Sequence, residues 1–167
     1  MKLESATAIA ERIIGELDRY CDRIEIAGSV RRGRAWVNDI DFVVQIRAGD
    51  MERFRARVTS HSTIVKDGPE ILILRLKDGT QVDFYFAHGP SSDLLTTAPG
   101  NFGTVLLCRT GSKEHNIHLA QRAQQLGLKW ETMRGVTREG QVIASETEEE
   151  IFTTLDLPFI KPEQRER

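Results

Sequence analysis

Cysteine and aromatic residues are scarce in this chain: Cys21 and Cys108 are its only thiols, and Phe, Trp and Tyr together make up 7% of it. Two thiols so far apart argue against a disulfide framework and read as free thiols of a cytoplasmic protein. The four histidines, His61, His88, His115 and His118, are too scattered to supply a zinc site. No uninterrupted apolar run reaches the length of a signal peptide or a membrane span, so a membrane is not an expected partner. Long polar tracts, internal repeats and low-complexity segments are missing too, which excludes a disordered chain or a repeat array. A strong excess of either charge is also lacking. A formal net charge of -2 excludes a protein that holds nucleic acid by its whole surface, so any such grip must be local.

What is present suffices for one ordinary core with a small appended lobe: 167 residues, 40% of them hydrophobic. Apolar residues at Ala6, Ile9, Ala10, Ile13, Ile14 and Leu17 recur at helical spacing, with Ser5 placed to cap the first turn. Arg23 to Ala27 then alternates as a strand and stops at Gly28-Ser29, a turn able to open a short helix. Asp39 to Ile46 reads as a second strand, and Met51 to Val58 as a polar helix. Ile71 to Leu76 and Gln81 to Ala87 form a hairpin across Lys77-Asp78-Gly79-Thr80. His88 to Gly100 is loop-like and holds the lobe boundary. Beyond it, Asn116 to Leu126 reads as a helix ended by Gly127. Trp130 to Met133 and Gln141 to Ala144 read as strands joined across Arg138-Glu139-Gly140, and Glu148 to Leu155 as a last helix. Glu146, Glu148, Glu149 and Glu150 crowd its start and read as a solvated acidic first turn. The expected class is α+β, with a mixed-sheet lobe over residues 1–98 and a smaller α/β lobe over 99–167.

The stretch that carries chemistry is Gly28-Ser29-Val30-Arg31-Arg32-Gly33, followed after five intervening residues by Asp39-Ile40-Asp41. Side chains two apart on a strand share a face, so Asp39 and Asp41 point the same way and Ile40 points to the core. Two like charges held together call for a counter-charge, and hard divalent cations bound through oxygen supply it in phosphate chemistry. A third carboxylate is wanted to flank a pair of ions, and Asp83 offers one, an acid lodged in the otherwise apolar Gln81 to Ala87 strand. Gly28-Ser29, where a strand feeds a helix, presents backbone N–H groups and a hydroxyl to a triphosphate; Arg31 and Arg32 add guanidinium groups for its oxygens. Trp36 reads as a half-buried packing aromatic in preference to a base-stacking one, and Trp130 as core.

These residues resemble the polymerase X family, the group that contains DNA polymerase beta, within the wider nucleotidyltransferase superfamily. The Gly-Ser, double Arg and paired Asp spacing is shared across the superfamily. Phe102-Gly103, the run Thr110-Gly111-Ser112-Lys113-Glu114-His115-Asn116, and the tail from Glu148 through Leu157-Pro158-Phe159-Ile160 to Pro162-Glu163 are similar to that family in particular. The resemblance implies a polymerase beta-like palm and a C-terminal lobe contacting nucleotide and duplex. It implies two Mg2+, with Mn2+ able to substitute, on Asp39, Asp41 and Asp83, and Asp83 helping to deprotonate a primer 3′-hydroxyl. It assigns the nucleotide to Gly28, Ser29, Arg32, Gly111 and Asn116.

The implied activity is distributive gap filling in DNA repair, with dNTP and primer-template or gapped DNA as partners and no obligate protein partner evident. Transfer to another acceptor, an RNA end, a small molecule or a protein hydroxyl, is the alternative enzyme reading, and a non-catalytic nucleic-acid-binding subunit is the third. Two departures stand out. Cys108-Arg109 replaces the family's usual Tyr-Phe pair, which opens the site to rNTP as well as dNTP unless the Gly111 backbone excludes the 2′-hydroxyl, and Ala120 replaces an arginine that touches the templating region.

Overall fold

Alternation of apolar and polar side chains builds a five-stranded sheet that organises the first part of the chain. The computed structural model describes residues 1–93 and 96–166, in two units, Met1–Ala87 and His88–Arg167. In the first unit the strands are β1 (Cys21–Ile26), β2 (Asp39–Ile46), β3 (Ser62–Asp67), β4 (Ile71–Leu76) and β5 (Gln81–Ala87), in the order β1-β2-β5-β4-β3. β2 and β5 run parallel and the other neighbours antiparallel. One face carries Ile40, Phe42, Val44, Val82, Phe84 and Phe86, all buried with Ala6, Ala10 and Leu17 of helix α1 (Leu3–Leu17) and Phe54 of helix α3 (Met51–Thr59). The rings of Phe42 and Phe84 stack at 5.3 Å, and Phe54 meets Phe84 edge-on at the same separation. Because strand side chains alternate, that apolar face fixes which residues lie on the other one.

Three local expectations change. Ser5 does not cap α1: the helix starts at Leu3, and Lys2 at its N-cap makes no side-chain capping bond. The Leu3 N–H instead donates to the Ala35 carbonyl at 3.1 Å, so a neighbouring loop does the capping. The hairpin of β4 and β5 forms as read, but β3 was invisible, since it is an edge strand whose Ile64 and Val65 are both exposed and so shows no period of two. Trp36 is not half-buried but 69% exposed.

The second unit has its own core of Leu107, Leu119, Ala123, Leu128, Val136, Ala144, Ile151, Phe152 and Leu155, with Trp130 packed against it. The segment from His88 to Gly100 is not wholly loop: β6 (Ser91–Asp93) and β7 (Thr96–Ala98) pair antiparallel, and residues 94 and 95 lie outside the described residues. Helix α4 (Phe102–Thr110) escaped the sequence reading because it is buried on almost every side and has no polar stripe. A Cβ on Gly103 would sit 2.4 Å from the Thr147 backbone, so this glycine lets α4 approach the start of α6 (Glu148–Thr154). Helix α5 (Lys113–Gln125) is capped by Ser112, which accepts from the His115 N–H. The three-stranded sheet runs β10-β9-β8, with β8 (Lys129–Glu131), β9 (Gly135–Arg138) and β10 (Gln141–Ala144). The Arg138-Glu139-Gly140 turn therefore joins β9 to β10, not β8 to β10 as expected. Gly135 hides β9, since its φ of +101° and a Cβ position 2.1 Å from the Ala144 carbonyl admit no side chain.

The acidic start of α6 is not simply solvated. Thr147 caps the helix by accepting from the Glu150 N–H at 3.1 Å, and Glu150 Oε2 reaches back beyond the cap to accept from the Ser145 and Glu146 N–H groups at 3.4 and 3.1 Å. Glu148 is 4% exposed and meets the fully buried Arg165 at 2.7 Å. That guanidinium also donates to the Ile160 carbonyl at 2.8 Å and lies over the rings of Phe152 and Phe159. Removing one partner would strand the other charge without water, so Arg165→Ala or Glu148→Ala is expected to cost about 3–5 kcal/mol. Replacing both by apolar residues of similar size should recover most of it; thermal and denaturant unfolding measure the difference.

His115 is buried beside Phe152, with ring centroids 5.8 Å apart. Burial first, then the positive charges of Arg165 and His118, lower its pKa to about 4. A group with a depressed histidine pKa binds its proton more readily when unfolded, so its contribution to stability falls as pH drops from about 6.5 to about 4. Melting temperature measured across that window should fall in the parent chain, and His115→Leu should flatten the slope.

Candidate functional site

The face of the first sheet opposite α1 and α3 carries the three aspartates. In the parallel pairing of β2 with β5, Asp41 lies beside Asp83 and Asp39 beside Gln81, while Ile40 pairs with Val82 and Phe42 with Phe84 on the core face. Carboxylate oxygens of Asp39, Asp41 and Asp83 all come within 4.8 Å of one another. Among the described residues this is the one cluster of three or more metal-ligating side chains. Asp39 and Asp41 are half-buried; Asp83 is 5% exposed. Asp83 accepts from Gln81 Nε2 at 3.0 Å and from the Tyr85 hydroxyl at 3.4 Å. Sequence reasoning gave these two residues no role, although residues two either side of an acid on a strand share its face, which was the available signal.

Gly28 completes the wall. The Ala27 N–H donates to the Asp41 carbonyl at 2.8 Å, which ties the end of β1 to β2, and the short helix α2 (Gly28–Arg31) starts at once. Gly28 has φ +59°, and a Cβ there would lie 1.8 Å from Asp41 Oδ2, so only glycine leaves that carboxylate its place. Ser29, Arg32, Arg34, Trp36, Asn38 and Asp39 line an adjoining cavity of about 460 Å³. The Ser29 hydroxyl is buried and has no hydrogen-bond partner among the described residues. A buried, unsatisfied hydroxyl is costly, and here it stands next to carboxylates that want a cation and arginines that suit an anion. The donor set is all oxygen, which fits a hard divalent ion.

Gly111 and Asn116 belong to the second unit. Gly111 ends α4 with φ +71°, and its N–H donates to the Leu107 carbonyl at 3.2 Å. Asn116 donates from Nδ2 to the Cys108 carbonyl at 2.8 Å, and its Oδ1 is buried without a hydrogen-bond partner among the described residues. The Cys108 thiol pKa is raised by burial, with Arg109 pulling it the other way. The structure thus brings Asp39, Asp41, Asp83, Gly28, Ser29 and Arg32 into one neighbourhood, and Gly111 with Asn116 into another.

Residues 105–166 match the DNA polymerase beta thumb family. Over 170 aligned residues the chain is 29% identical to the DNA polymerase/3′-5′ exonuclease PolX of Bacillus subtilis (strain 168), a match that takes in 96% of this chain. The chain spans only 28% of the length of that curated relative. Among solved structures, the ternary P/T complex of Leishmania infantum polymerase beta is similar with a TM-score of 0.73 at 16% identity, covering all of this chain and 77% of that one. The ternary gap complex of the same polymerase gives the same score at 15% identity over 71% of its chain. The fold is the α+β, mixed-sheet architecture of polymerase beta. Together the three matches support the X-family polymerase resemblance carried by the sequence. None of the helices among the described residues is long and apolar enough to cross a membrane.

Three carboxylates so close repel one another, and a bound cation relieves that repulsion only in the folded chain. Mg2+ or Mn2+ is therefore expected to raise the melting temperature of the parent chain, by about 1.4 kcal/mol of stability at ten times its Kd. Asp41→Asn should stabilise the cation-free chain and abolish most of the cation response, and Gly28→Ala should abolish the response without that gain; differential scanning calorimetry with and without chelator separates the two.

Proposed function

We propose that the chain is an X-family DNA polymerase that fills gaps during DNA repair in the cytoplasm, transferring dNMP from dNTP to a primer 3′-hydroxyl. The observation that carries this reading is the meeting, in one corner of the first sheet, of the Asp39-Asp41-Asp83 cluster with the unpartnered Ser29 hydroxyl and the Arg32-lined cavity. Two Mg2+, with Mn2+ able to substitute, held by the three aspartates would supply charge neutralisation at the attacking and departing oxygens. In the transfer the primer 3′-oxygen bonds to the α-phosphorus, the bond from that phosphorus to the bridging oxygen of the β-phosphate breaks, and pyrophosphate leaves. Asp83 takes up the hydroxyl proton, oriented by Gln81 and Tyr85. Ser29 and the Gly28 backbone bind the triphosphate, and Arg32 holds the oxygens that depart as pyrophosphate.

Residues 1–98 act in this reading as the palm and 99–167 as the lobe that contacts nucleotide and duplex, with Gly111 and Asn116 at the sugar and base. The two ternary complexes of the Leishmania polymerase, one P/T and one gap, support primer-template and gapped DNA as partners. A net charge of -2 predicts weak, salt-sensitive and distributive binding. Without an aromatic pair before Thr110, sugar choice falls to the Gly111 backbone.

Extension of a labelled primer across a one-nucleotide gap, with each single dNTP or rNTP in Mg2+ and in Mn2+, tests the proposal. Template-matched addition is expected, reduced roughly 10²–10³-fold or more by Asp41→Asn and by Asp83→Ala. Addition that ignores the template would make the chain a terminal transferase. Cation-dependent transfer to RNA ends or protein hydroxyls, with no DNA extension, would move the activity to another acceptor. Ribonucleotide lanes as strong as the deoxyribonucleotide ones would show that Gly111 alone does not exclude a 2′-hydroxyl.

A further inference from the structure

An indole ring exposed to 69% is unusual on a backbone held as firmly as that of Trp36. Trp36 and Lys2 form an isolated antiparallel bridge. The flanking bonds run from the Leu3 N–H to the Ala35 carbonyl at 3.1 Å and from the Val37 N–H to the Met1 carbonyl at 3.0 Å. Bonds made by the neighbours and not by the pair itself mark the closer-spaced kind of antiparallel pair, with the two Cβ atoms on the same side. The Lys2 ammonium stem and the indole therefore rise from one face of the ribbon. Val37, directly after the ring, is 1% exposed and anchors the loop in the core, so Trp36 is not exposed because the loop is loose. Arg34, two residues earlier and also exposed, lines the same cavity as Trp36, Ser29 and Arg32.

From this arrangement we propose that Trp36, with Lys2 and Arg34, is a stacking platform for an unpaired base of a single-stranded DNA segment. A rigid indole offers a π-face to any base, and cations beside it suit the phosphates on either side of that base, which a free nucleotide does not have. A globally acidic chain needs such a local grip, because phosphate contacts set affinity for nucleic acid. The platform rests on the nucleic-acid reading of the site, but not on its catalytic step.

The test is fluorescence anisotropy of a labelled oligothymidylate of about 16 nucleotides, a length that covers one such site, measured in chelator so that no transfer occurs. Trp36→Ala is expected to weaken binding about tenfold and Trp36→Phe to restore most of it. Lys2→Ala should reduce the slope of log affinity against log salt by about 0.7. In a Trp130→Phe background, where Trp36 is the sole tryptophan, the oligonucleotide should quench its emission, and a blunt duplex or dTTP should not. Asp41→Asn should bind the oligonucleotide like the parent while losing primer extension, so that failure of the platform and failure of the catalytic reading give different results. Oligonucleotide affinity unchanged in Trp36→Ala, or quenching by dTTP equal to that by the oligonucleotide, would overturn the proposal.

Discussion

The parallel register of β2 against β5 is the constraint on which the site depends. Ile40 beside Val82 and Phe42 beside Phe84 fill the core face, and the same pairing sets Asp41 beside Asp83 on the other. A slip of one residue would bury aspartates and expose phenylalanines, so the hydrophobic effect that locks the core also locks the carboxylates together against their mutual repulsion. Each ring contributes on the order of 1.5–3 kcal/mol when fully buried. Several such rings outweigh the repulsion of the acids, of which Asp39 and Asp41 are half-buried and Asp83 is buried. The sheet can therefore hold three carboxyl groups in one place before any cation arrives.

A different balance holds the second unit together. Its centre includes a buried ion pair, Glu148 with Arg165, along with apolar side chains. The Arg165 carbonyl also accepts from the Ser112 N–H at 3.2 Å, and Ser112 caps the helix that carries Asn116. The tail is thereby connected, through two hydrogen bonds, to the segment from Thr110 to Asn116. Replacing the pair by apolar residues would keep the packing but not necessarily the placement of that segment, which is a reason for a fold to keep buried charges.

Most of the first unit was legible because its burial is one-sided. α1, β1, β2, β4 and β5 all carry a period that matches their geometry, and Asp39 and Asp41 could be placed on one face from spacing alone. The closeness of Asp83 to them could not be so placed, since it depends on a parallel pairing between strands separated by a helix and two other strands. Elements lacking a period were missed: β3 because it is exposed on both sides, α4 because it is buried on nearly all, and β9 because Gly135 and its neighbours form too short a run. Trp36 and Glu148 were misjudged in opposite directions for a shared reason. Composition favours a packed tryptophan and a solvated glutamate, and in both cases a distant backbone or side-chain partner, Lys2 or Arg165, decided otherwise.

Arg165 also bears on how the chain is made. A ribosome delivers about 5–20 residues per second from the N-terminal end, and domains fold as units once all their parts have emerged. Every strand of the first sheet is available by Ala87. The partner of Glu148 arrives seventeen positions after it. Until residue 165 has emerged, Glu148 lacks the guanidinium that offsets its burial, so completion of the second unit waits for that residue, whereas the sheet bearing the aspartates has all its strands much earlier.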